Sequence, residues 1–69
     1  MITDDHYKEL DELLKAAVEN EDELSDWENA FVSEWIDKLA VYQTNVRISD
    51  KQQAVLDRIE DKLKKKGLL

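Results

Sequence analysis

The chain contains no cysteine and no proline, and only one glycine and one histidine among its 69 residues. Without cysteine there are no disulfides and no thiolate metal ligands. A single imidazole, His6, cannot supply a zinc site on its own. With proline absent and Gly67 the lone glycine, the composition is that of helices and not of sheets joined by tight turns. No glycine-rich stretch is available to cradle a phosphate. Long apolar runs are missing too: none approaches the ~20 residues needed to span a bilayer, and no signal-peptide pattern opens the sequence. The expectation is a cytoplasmic protein without a membrane segment.

What the sequence has in abundance is charge. Charged residues make up 39% of the chain, and 17 acids against 10 bases give a formal net charge of −7. The balance is uneven. Residues 1 to 37 carry 13 acids and 2 lysines, whereas residues 38 to 69 carry 4 acids and 8 bases. The first part is therefore near −11 and the second near +4, which antiparallel helices would partly neutralise. A chain of this length buries only about 60% of its unfolded surface, so its stability rests on very regular helix packing or on a partner.

Three helical segments are predicted, near 4–19, 26–43 and 50–66, in one domain covering residues 1–69. In the first, Tyr7, Leu10, Leu14 and Ala17 recur at steps of three and four, with Leu13 and Val18 widening the stripe. Thr3 is placed to cap this helix, and Asp4 and Asp5 favour its positive end. "NEDELSD" interrupts the pattern, and Ser25 with Glu28 spells a capping box for a second helix. There, Trp27, Phe31, Trp35, Leu39 and Tyr42 share one face, with Val32 and Ile36 extending it to roughly half the circumference. A stripe that wide suggests two neighbours, so the second helix is expected at the centre. Ser49 and Gln52 give another capping box, and Val55, Leu56, Ile59 and Leu63 line the third helix, which Gly67 ends. Sustained heptads are missing, which argues against a coiled coil. The expected fold is all-α, a three-helix bundle that homodimerisation could complete.

Few residues are arranged for chemistry. A small bundle has little interior in which to perturb a pKa, so the reading is of a non-enzymatic protein with no cofactor and no metal site. Carboxylates near 19–23 lack the loop spacing and turn glycine of a calcium site. Binding candidates are clearer. Asp4, Asp11, Glu12, Glu19 and Asp22 are expected on the first helix opposite its apolar stripe. They are either a solvated face or an array that occupies a cationic groove built for nucleic-acid phosphates. Trp27 and Trp35 are either core or interface anchors. Arg47, Lys51, Arg58, Lys62 and Lys65 form the alternative, a basic helix touching nucleic acid directly, although no aromatic interrupts that helix.

From "WENAF" through "SDKQQAVLDRIEDKL" the chain resembles a segment found in small proteins of phages and mobile elements. The pattern is Trp-Glu, a Phe four residues after the Trp, then Ser-x-Lys-Gln-x-x-Val-Leu-x-x-Ile. Its positions here are Trp27, Glu28, Phe31, Ser49, Lys51, Gln52, Val55, Leu56 and Ile59. The match spans roughly the last two thirds of the chain and leaves out the acidic first helix. Related stretches also look like parts of larger DNA-handling proteins. The resemblance implies a phage or mobile-element setting, with a host protein of nucleic-acid handling or defence as the expected target. An accessory role in DNA replication or recombination and a purely structural oligomerisation module are the other two readings.

Overall fold

Each helix begins at a residue whose side chain satisfies backbone N–H groups that the helix itself leaves without partners. In the computed structural model, which describes all 69 residues, α1 runs Asp4–Glu19, α2 Asp26–Tyr42 and α3 Asp50–Lys65. Thr3 Oγ1 accepts from the His6 N–H at 3.1 Å. Both expected capping boxes form: Ser25 Oγ accepts from the Glu28 N–H at 3.2 Å while the Ser25 N–H donates to Glu28 Oε1 at 2.9 Å. Ser49 and Gln52 repeat the arrangement at the same two distances. Each such cap contributes about 1 kcal/mol. At the far end of α3, Gly67 takes a left-handed φ of 72°. The Leu68 N–H then donates to Leu63 O and the Gly67 N–H to Lys64 O, closing a Schellman motif.

The three helices form an all-α bundle without strands. One 3₁₀ turn, Glu21–Glu23, separates α1 from α2, and another, Gln43–Asn45, follows α2. The Ile2 N–H donates to Thr44 O at 2.8 Å, so the start of α1 lies beside the end of α2. Lys62 reaches Glu28, which sets the end of α3 beside the start of α2. The topology is up-down-up, with α1 and α3 parallel. The radius of gyration, 11.3 Å, matches the roughly 11 Å expected for a folded chain of this length.

A single apolar cluster joins the elements: Leu10, Leu13, Leu14 and Ala17 of α1, Val32, Trp35 and Leu39 of α2, and Leu56, Ile59 and Leu63 of α3, with Leu24 and Val46 from the connections. In backbone terms α1 is the shared neighbour, approaching both other helices closely. Its seam includes the fully enclosed Ala17, whose methyl lets a helix come near. The apolar pattern instead places α2 at the centre. That helix holds the middle of the core through Trp35, the largest fully buried side chain, whose bulk sets the axes around it apart.

The buried side of α2 is also narrower than half its circumference. Glu28, Val32, Trp35 and Leu39 are its buried residues, and they span about 60° of arc. Trp27 lies about 110° from the middle of that arc and is 57% exposed. Tyr42 and Ile36 are exposed as well, and Phe31 is half-buried. The aromatic row therefore runs obliquely from solvent into the core. Trp27 stacks on Phe31 at 5.6 Å between ring centroids, and Phe31 tilts against Trp35 at 6.2 Å.

Candidate functional site

The two tryptophans part ways. Trp35 is 1% exposed, so it belongs to the core and offers no edge to a partner; this corrects its candidacy as an interface anchor. Trp27 keeps that candidacy. At the second position of α2, it stands where the helix begins and no neighbouring helix covers it.

The acidic candidates divide by position. Asp4, Glu12 and Glu19 are exposed on α1 and have no lysine or arginine within ion-pair distance. Asp11 is partly shielded and bonded to Lys15 at 2.9 Å. That hydrogen bond, with the attraction of the same carboxylate, raises the Lys15 ammonium above its ordinary pKa. Asp22 is not on α1 at all: the helix ends at Glu19, and Asp22 sits in the following 3₁₀ turn. Asn20 enforces the break, its side-chain amide donating to Ala16 O at 2.8 Å, while Asn29 holds the turn by donating to Glu21 O at 2.9 Å.

Beside this acidic face lies an open groove of about 410 Å³ between α1 and α2. Tyr7, Leu14 and Val18 line it from α1, and Ile36, Leu39 and Ala40 from α2. Asp11, Lys15 and Glu19 form its charged border. Val18 is 49% exposed here, so of the two residues that widen the α1 stripe in the sequence Leu13 packs in the core and Val18 faces the groove. No sequence feature singles out this groove, because it needs two helices in register.

Sequence spacing identifies Glu28 as a cap but misses its second role. Its Oε1 accepts from the Ser25 N–H and from Lys62 Nζ at 2.8 Å, and the residue is 5% exposed. Burial pushes the carboxyl up, but the Lys62 and Ser25 hydrogen bonds outweigh it and leave the pKa below its ordinary value. The satisfied geometry is what lets a carboxylate sit in this wall.

Ion pairing also sorts the basic candidates. Lys62 is bound to Glu28 and Lys65 to Asp61, so neither is free for a phosphate. Lys64 pairs with Glu60 and Lys66 with Glu23. Its hydrogen bond to the Glu60 carboxylate raises the Lys64 pKa. Arg47, Lys51 and Arg58 are exposed and have no carboxylate partner. Neutralisation between the acidic and basic parts of the chain thus reduces to three pairs, the long-range Glu28–Lys62 and Glu23–Lys66 and, within α2, Glu34–Lys38.

On the remaining border, the parallel α1 and α3 bring His6, Glu9, Asp57 and Glu60 around a cleft of about 170 Å³. No group of three or more acidic or histidine side chains is arranged to hold a metal ion. No helix is long and apolar enough to cross a membrane. No family model matches the chain, and neither a curated protein nor a solved structure shows significant similarity to it.

Proposed function

We propose that this protein is a non-enzymatic binding module of phage or mobile-element type, which attaches to a host protein of nucleic-acid handling or defence and inhibits it by covering a cationic surface. The observation that carries the reading is the outer face of α1, where Asp4, Glu12 and Glu19 are exposed and unpaired beside an apolar groove. Carboxylates already tied to lysines would offer a partner little. Unpaired ones steer a basic surface toward them, and the attraction weakens as salt screens it. Affinity then comes from apolar side chains entering the groove against Tyr7, Val18 and Ile36.

The partner that suits this arrangement presents lysines and arginines around one or two apolar anchors. The test is capture from host lysate with mass spectrometry, comparing the native protein with a triple Asp4→Lys, Glu12→Lys, Glu19→Lys variant. A specific basic protein should be retained by the native chain, released at raised salt and lost with the triple variant. Equal retention by both proteins would rule out the acidic face as the docking surface.

A further inference from the structure

The sequence separates the aromatic residues of α2 from the cations of α3, but the antiparallel packing of these helices puts them along one edge. On α3, Lys51, Arg58 and Lys62 fall within about 40° of arc, and Lys62 Nζ touches Glu28, so this stripe borders α2. On α2, Trp27, Phe31 and Lys38 fall within a similar arc of about 40°, on the flank away from the Ile36 and Ala40 side that lines the α1 groove. At the far end, Lys38 and Arg47 line a hollow of about 280 Å³. From Trp27 to the end of α2 the edge is about 22 Å long.

Two independent features mark this edge. Four of the ten cations have no carboxylate within 4.0 Å, namely Lys8, Arg47, Lys51 and Arg58, and three of these four lie here. The largest exposed ring, Trp27, lies here as well, held flat against Phe31 with 18° between the ring planes. An open indole face on the same edge as unpaired guanidinium and ammonium groups is the arrangement that stacks an unpaired base while cations hold its backbone. A basic protein surface would be repelled by the same cations. An acidic one would leave the ring's preference for a flat π partner unused.

We infer that the α2/α3 edge binds single-stranded nucleic acid, with Trp27 stacking a base and Arg47, Lys51 and Arg58 contacting phosphates. This surface is separate from the acidic face of α1, and the two contacts do not depend on each other. Glu28, Ser49 and Gln52 serve as helix caps, while Leu56 and Ile59 are buried. Trp27 and Lys51 are exposed and have no such role, and both belong to this edge.

The experiment is a titration with single-stranded oligothymidylate at low ionic strength, reading tryptophan emission and the anisotropy of a labelled strand. Trp35 is enclosed, so a change in emission reports on Trp27. Binding should quench that emission, weaken steadily with added salt, and exceed binding to a duplex of equal length. Trp27→Leu should lower affinity about tenfold. Lys51→Glu with Arg58→Glu should abolish binding. All three positions are exposed, so circular dichroism should show the helices intact. The triple lysine variant on α1 should bind at least as well as the native protein, which separates this result from the docking proposal. Absence of binding at low salt, equal affinity in Trp27→Leu, or equal affinity for duplex without quenching would each overturn the inference.

Discussion

Glu28 Oε1 accepts a hydrogen bond from Lys62 Nζ at 2.8 Å, joining residues 34 positions apart on α2 and α3. The same oxygen closes the cap at Ser25. One carboxylate therefore starts a helix and fastens another to it, and its removal should be felt in both places.

Replacing Glu28 by Gln keeps a capping-box side chain but removes the charge, and is expected to destabilise the fold by about 1 kcal/mol. Glu28→Ala loses the cap as well and should cost about 2 kcal/mol. Solvent screening keeps both effects modest, because the Lys62 side chain is 36% exposed. Urea denaturation midpoints measure both. Identical midpoints for the native protein and the Glu28→Gln variant would mean that the ion pair contributes nothing.

The same carboxylate makes stability depend on pH. Its pKa in the folded chain lies below the ordinary value of 4.5, so the folded state holds the proton less tightly than the unfolded state does. The contribution is present above 4.5 and is lost as pH falls through the folded-state value. The gap in stability between native protein and Glu28→Gln should accordingly be full near neutrality and close at acid pH. A gap that persists unchanged in acid would contradict the assignment.

The tryptophans should respond very differently to substitution. Trp35→Ala empties the middle of the core and should cost about 3–5 kcal/mol. A chain of this length has roughly 3–10 kcal/mol in total, so that variant is expected to be largely unfolded. Trp27→Ala should change stability by less than about 1 kcal/mol. Circular dichroism melts decide the first comparison. Acrylamide should quench about one of the two indoles in the native protein, and that quenchable component should vanish in Trp27→Phe.

Gln43 carries the one non-glycine backbone with positive φ, at φ 50° and ψ −129°. A Cβ is disfavoured there, and the conformation stores about 1–3 kcal/mol. Gln43→Gly should relieve part of it and raise the melting temperature by a few degrees, despite glycine's greater freedom in the unfolded chain. An unchanged or lower melting temperature would mean that the turn is not strained.

The start of every helix and the end of α3 can be read from the sequence because capping is local: Thr3, Ser25, Ser49 and Gly67 act on neighbours within a few positions. Facing is harder. The helical wheel of α2 marks where apolar residues lie, but burial also needs a neighbour at that height. Trp27 has none, while Glu28 is buried because Lys62 arrives from elsewhere in the chain. The acidic face of α1 is legible except for Asp22, which Asn20 removes from the helix. The basic edge is only half visible, since its aromatic component belongs to another helix.

In the cleft between the two parallel helices, Glu9 and Asp57 carry like charge, while Glu60 is held by Lys64. Dissolved ions quiet that repulsion, so added electrolyte should tighten the bundle even as it loosens the electrostatic contacts proposed for the outer surfaces. Bundle stability and the proposed surface contacts should therefore move in opposite directions as ionic strength rises.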